Sequence, residues 1–196
     1  TGTVAIGHSA LAALTTGARN LAVGYESLKV NTTGGDNVMI GYQAADAADD
    51  GGFDYNVGVG NYVFDGVANN INAAQNTAVG HNALSGVLTS AADDNVAIGY
   101  SAGLVLTSGA SNVIIGANAG DTLTTALNNT AVGKDAMGAV TTATVDGAVA
   151  IGFQALYGSS STTTGANYSI AIGKESLKAL TSGANNLAIG YQALAA

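Results

Sequence analysis

Cysteine, proline and tryptophan are absent from this chain, and only 9% of its 196 residues are charged. Without cysteine no disulfide can staple the fold and thiolate chemistry is excluded, so stability must come from backbone pairing and packing. The scarcity of charge argues against a helical protein, whose solvated faces usually carry Lys, Glu and Arg. Positive charge is scarcest: Arg19, Lys29, Lys134, Lys174 and Lys178 face 13 acidic residues, for a formal net charge of −8. That balance disfavours nucleic acid, whose phosphates need a basic surface, and anionic membranes for the same reason. No apolar run of about 18 residues occurs, so this segment inserts no helix into a bilayer. The chain begins within its own pattern at Thr1-Gly2-Thr3-Val4, with neither an initiator Met nor a signal peptide. It therefore reads as a fragment or processed portion of a longer fibrous protein.

What is present is a repeat. A β-branched residue followed by glycine recurs eleven times, at Gly7, Gly24, Gly41, Gly60, Gly80, Gly99, Gly116, Gly133, Gly152, Gly173 and Gly190. The intervals are 17 to 21 residues, and half of them are 17. Four positions before the glycine stands Asn in eight copies: Asn20, Asn37, Asn56, Asn76, Asn95, Asn112, Asn129 and Asn186. The next three positions are an apolar residue or Thr, usually Ala, and then Val or Ile, which is strand composition ended by a turn. Three and four positions past the glycine come pairs such as Ala10-Leu11, Ser27-Leu28 and Ala83-Leu84, which predict a second short strand. Stretches such as Thr181 to Asn185 supply turn chemistry. Residues 1–196 thus form one all-β domain, a parallel β-roll or β-solenoid of about eleven 17–21-residue coils. A helix is excluded, because the pattern has no 3.6-residue face and glycine would interrupt every copy.

Successive side chains of a strand point to opposite faces. If the Val/Ile positions fill the coil interior, the outer face becomes a flat strip of alanines, among them Ala22, Ala78, Ala97, Ala131, Ala150, Ala171 and Ala188. A strand apolar on both faces is normally covered on both, so a homo-oligomer, with a trimer as the economical number, is expected.

The run Asn185-Asn186-Leu187-Ala188-Ile189-Gly190-Tyr191-Gln192-Ala193-Leu194, with Thr-Ser-Gly-Ala-Asn at 181–185, resembles the head repeat of trimeric autotransporter adhesins (YadA-like heads). It is also similar to repeats of the same type in bacteriophage tail fibres. The resemblance covers essentially the whole chain. It implies a left-handed, trimeric β-roll that is extracellular, on a cell surface or in a virion fibre. The function it implies is structural and adhesive, attaching to a host-surface glycan or matrix protein. The alternative reading is a self-assembling extracellular filament whose subunits stack end to end.

Candidate sites are few. The position after the glycine forms a column of His8, Tyr25, Tyr42, Asn61, His81, Tyr100, Ala117, Lys134, Phe153, Lys174 and Tyr191. Its aromatics, Tyr25, Tyr42, Tyr100, Phe153 and Tyr191, are candidate platforms for glycan rings, although a stacked ladder that merely braces the rod is the simpler reading. Asp46, Asp49, Asp50 and Asp54 form a weak Ca²⁺ candidate, with Asp93 and Asp94 a second. Their spacing matches no calcium loop, and a solvated loop is the simpler reading. Gly133-Lys134 and Gly173-Lys174 lack the rest of a phosphate loop. Thr15-Thr16, Thr32-Thr33, Thr124-Thr125 and Thr141-Thr142 raise ice binding weakly, and Asn31, Asn128 and Asn167 head glycosylation sequons. His8 and His81 occupy one repeat column many coils apart, which leaves no nucleophile–base pair. No catalytic, metal or cofactor site is assigned, and the chain is read as non-enzymatic.

Overall fold

The computed structural model describes residues 2–48, 52–67, 72–89, 91–140, 145–158 and 165–195. Eleven three-residue strands run in chain order: β1 (Val4–Ile6), β2 (Leu21–Val23), β3 (Val38–Ile40), β4 (Val57–Val59), β5 (Thr77–Val79), β6 (Val96–Ile98), β7 (Val113–Ile115), β8 (Thr130–Val132), β9 (Val149–Ile151), β10 (Ile170–Ile172) and β11 (Leu187–Ile189). They form one parallel sheet in sequence order, each strand paired in register with its repeat equivalent, as Ala78 with Ala97. The chain is a β-solenoid, and the described residues contain no helix. With about 4.8 Å between coils the rod is about 50 Å long.

Glycine ends each strand for two reasons that coincide. At Gly80 φ is 135°, a region that side chains disfavour, and a Cβ there would lie 2.3 Å from the carbonyl oxygen of Gly99 in the next coil. The chain turns there while its backbone stays tightly stacked.

The second strand expected past the glycine is not a strand. Positive φ at alternate residues, Asn82 (58°) and Leu84 (49°) in the fifth coil, breaks the extended run. The coils nevertheless stay bonded there: Asn82 N–H donates to Asn61 C=O at 3.1 Å, and Leu84 N–H to Ala102 C=O at 3.1 Å. The ladder continues through turn geometry, because in-register stacking lets like conformations pair.

The asparagine column is buried and bonded to itself. Oδ1 of Asn76 accepts both the backbone N–H of Asn95 (3.0 Å) and its Nδ2 (3.0 Å), while Nδ2 of Asn95 also donates to Gly109 C=O at 2.9 Å. Oδ1 of Asn95 serves Asn112 the same way, at 3.1 and 2.9 Å. An amide is a donor and an acceptor at once, so it can stack on copies of itself without leaving a buried group unmet. Ala148 interrupts the column and Ser169 resumes it, accepting from Asn186.

The interior is the reverse of the expected one. The middle residue of each strand from β2 to β11 is buried, whereas the flanking Val, Ile and Leu lie partly or largely exposed. Alternation fixes that the two sets face opposite ways, and volume decides which set faces in. The middle residue shares its coil with the residue four past the glycine, and the two compensate: Ala78 with Leu84, Met39 with Ala45, Gly58 with Phe64 and Ile114 with Gly120. A Cβ on Gly58 would lie 2.5 Å from Met39 Sδ and 3.1 Å from Phe64 Cδ2. In these four coils one large side chain fills this level; in the sixth, where Ala97 faces Gly103, a Cβ on Gly103 would lie 3.0 Å from Leu84 Cδ2 and 3.3 Å from Ile114 Cδ1, so the neighbouring coils fill the space.

This compensation is testable in the seventh coil. Gly120 has φ 52°, close to that of Leu84, but a Cβ there lies 3.3 Å from Ile114 Cγ2 and 2.9 Å from Leu123 Cδ1. Ile114→Ala should cost about 2–4 kcal/mol and Gly120→Leu about 1–3 kcal/mol. The double variant should be more stable than either single one, with a coupling of at least about 1 kcal/mol by urea denaturation. Additive losses would refute the compensation.

Candidate functional site

The surface is built by columns, because each outward residue recurs coil by coil. Two columns flank the buried one and form a strip of 22 residues along the sheet, 20 of them Val, Ile or Leu and two of them Thr77 and Thr130. Val4, Ile6, Ile40, Val57, Val59, Ile98, Ile151, Leu187 and Ile189 are its most exposed members. The strip of alanines expected on this side is inside instead, and the uncovered face is more apolar than the sequence reading supposed.

Across the glycine bend lies the aromatic row, which the structure assembles into two ladders. His8 stacks on Tyr25 (centroids 5.2 Å, interplanar angle 11°) and Tyr25 on Tyr42 (5.1 Å, 9°). In the fourth coil Asn61 holds the column position, and the neighbouring Tyr62 closes the gap edge-on, 5.5 Å from both Tyr42 and His81. His81 then stacks on Tyr100 at 5.6 Å. After Ala117 the row becomes cationic and aromatic: Lys134 and Lys174 lie 5.5 and 5.8 Å from the Phe153 ring, and Lys174 lies 5.6 Å from Tyr191. Tyr62 was missed because it sits one position out of column, and only its adjacency to a non-aromatic Asn61 hints at the repair. Rings 5.1 Å apart and nearly parallel cover one another's faces, so Tyr25 and Tyr42 are braces and not open platforms.

The acidic candidates are not brought together as a cation site. Asp49 and Asp50 lie outside the described residues, and no group of three or more His, Asp or Glu suited to a metal occurs among the described ones. Asp54 Oδ1 accepts the backbone N–H of Gly35 at 2.6 Å, and Asp93 and Asp146 do the same for Ala74 and Leu127. These aspartates, each two residues before the asparagine position, staple one coil to the preceding one. Asp94 lies in the turn next to Asp93, where its N–H donates to Ala74 C=O at 3.3 Å.

Other candidates resolve similarly. The hydroxyls of Thr15 and Thr107 donate to the carbonyls of Thr32 and Thr124, so they serve the ladder and are not free to order water. Thr141 and Thr142 lie outside the described residues. Asn31 is fully buried, and its side-chain amide finds no partner among the described residues. Asn167 Oδ1 accepts the N–H of Asp146 at 3.1 Å, and of the three sequon asparagines Asn128 is the exposed one. The described residues enclose no cavity.

Electrostatics follow from stacking. Glu26 accepts from Lys29 (3.0 Å) and from Gln43 in the next coil (3.0 Å), which holds its carboxyl below the usual range. Glu175 is held down by Gln192 at 2.8 Å, with Lys178 at 3.6 Å. Asp46 is different: partial burial and then its neighbour Asp65 push it up to about 6, against Lys29. Burial, then Asp135, pushes Asp121 to about 6 as well. Its Oδ1 is buried without a hydrogen-bond partner among the described residues.

A raised folded-state pKa means the native state binds that proton more tightly than the unfolded chain, so the associated stability is present below the ordinary 3.8 and lost as pH rises through about 6. The urea midpoint should therefore rise as pH falls from about 6 to about 4. Asp46→Asn with Asp121→Asn should flatten that segment of the profile and raise the midpoint at pH about 7. A wild-type profile already flat over this interval would remove the burial argument. No family model, no curated protein and no solved structure matches this chain, so its function is argued from the fold and the surface.

Proposed function

We propose that the chain is a rigid structural segment of an extracellular adhesive fibre, self-associated through the outward face of its single sheet as a homotrimer. The observation that carries this is the strip of 22 outward strand residues, none of them charged. A strip about 50 Å long and about 10 Å wide presents on the order of 500 Å² in projection and more in accessible area. That is at or above the largest apolar patch a typical monomer leaves open. A second copy is the fitting occupant, because the strip is flat, regular and as long as the rod, so an identical strip matches it along its whole length. Three copies is the number implied by the likeness of the repeat to trimeric adhesin heads. The absence of cysteine and the reliance on backbone ladders suit a secreted filament, and attachment is assigned to the aromatic row and the loop tips.

Light scattering across a wide concentration range tests this. The wild-type chain should have three times the monomer mass. Val79→Lys combined with Ile98→Glu places charges in the middle of the strip and should give a monomer whose β circular dichroism is unchanged, since both side chains point away from the core. A wild-type monomer at all concentrations would overturn the self-association, and open-ended growth in length would replace the trimer by end-to-end stacking.

A further inference from the structure

The aromatic row has one break that nothing fills, and we propose that this break is a binding slot for a single pyranose ring. Tyr100, Ala117 and Lys134 occupy successive rungs: Asn118 N–H donates to Tyr100 C=O at 2.9 Å, and Asp135 N–H donates to Ala117 C=O at 3.0 Å. Tyr100 is covered on one face by His81. On the other, the column residue of the next coil is Ala117, which supplies a methyl group in place of a ring. The exposures agree: Tyr25, stacked on both sides, and Tyr42, stacked on Tyr25 and met edge-on by Tyr62, are 41% exposed, and Tyr100 is 57% exposed. The far wall is Lys134, whose other side lies against Phe153.

Two coil spacings separate the walls, about 9.6 Å, so one ring placed midway lies about 4.8 Å from each. The row's own stacked rings stand slightly farther apart, at 5.1 to 5.6 Å. The slot therefore has the thickness of one sugar or aromatic ring, a floor of one methyl group and an open solvent side.

Its polar rim decides between those ligands. Lys134 Nζ donates to Asp135 Oδ2 at 2.7 Å, and Asn118 Nδ2 donates to Asp135 Oδ1 at 3.3 Å. An ammonium, an amide and a carboxylate thus sit together on the two coils that follow Tyr100. An aromatic ligand would use none of them, whereas a pyranose sets its C–H face on the tyrosine and offers its hydroxyls to all three. Elsewhere in the row each ring is met by another ring or by a lysine, or the column ends. The slot deepens the attachment role proposed above, and rests on it for the expectation that a saccharide is the natural ligand.

The test uses ligand-observed NMR and calorimetric titration with methyl β-galactoside and methyl β-glucoside, and with p-cresol as a planar aromatic control. Wild-type protein should bind at least one glycoside with a dissociation constant on the order of 1 mM. Tyr100→Ala, which removes the platform, should weaken binding by about tenfold or more. Ala117→Tyr should abolish binding by filling the slot, and should raise the melting temperature by completing the ladder. Because that variant is expected to be more stable, its loss of binding cannot come from misfolding. No glycoside binding to the wild type, binding unchanged in Ala117→Tyr, or binding of p-cresol alone would overturn the proposal. The oligomeric mass is measured on the same samples, so a self-associated rod that ignores sugars refutes the slot and leaves the fibre reading intact.

Discussion

In-register parallel stacking is the constraint on which this molecule depends. Each residue lies about 4.8 Å from its repeat equivalent in the neighbouring coil, so every column must be compatible with copies of itself. Apolar side chains meet that demand by packing, aromatic rings by stacking, and asparagine by presenting a donor and an acceptor in one amide. Carboxylates meet it poorly. Where two fall in successive coils, as Asp46 and Asp65 do, one is driven towards its neutral form. Acidic residues are accommodated where a different residue stands in the next coil, as Gln43 does above Glu26, with Lys29 of its own coil as a second partner. The low charge of the chain is therefore a property of the stack itself as much as of its surroundings.

The thinness of the coil sets the character of the surface. Its interior takes at most one large side chain at the level of the strand, as Ala78 with Leu84 or Gly58 with Phe64. The branched residues that give the strand its β preference then have nowhere to go but outward. A solenoid this narrow cannot bury both columns, and the uncovered strip is a consequence of the fold rather than an addition to it. The self-association proposed above would complete the burial that a single coil is too small to provide.

How much of this was legible follows the same physics. The glycine positions, the coil count and the parallel pairing could be read directly, because a residue forced by backbone crowding, such as Gly80 beneath Gly99, leaves an unbroken mark every 17 to 21 residues. The inside and outside of the strand could not be read from alternation, which is symmetric between faces, and hydrophobicity favoured the wrong answer. The deciding signal was nonetheless present: the middle residue is large in the third and seventh coils, where its partner is only Ala45 or Gly120, and is Gly58 where its partner is Phe64, as expected if the two share a volume; the sixth coil, with Ala97 and Gly103, departs from it. The second strand failed because Leu84 and its equivalents hold positive φ, a conformation leucine does not advertise. The aspartate staples at Asp54, Asp93 and Asp146 share one offset from the asparagine position. A cluster count hid them, and an alignment by column exposes them.

The break in the aromatic row gains its meaning from the fourth coil. There the column residue is Asn61, equally unable to stack, yet Tyr62 swings into the place of the missing ring and keeps contact with both neighbours. In the seventh coil the residue after Ala117 is Asn118, which turns to Asp135 instead and supplies no ring. The same coil carries its bulk inside, as Ile114 opposite Gly120, and its outer position is reduced to a methyl group. A defect that the repeat can mend from the adjacent position is mended in one coil and left open in the other. The open one lies where the row passes from stacked aromatics to lysines over aromatics. A gap of one ring's thickness, with an aromatic wall on one side and a cation on the other, has the chemistry of a receptor rather than of a brace.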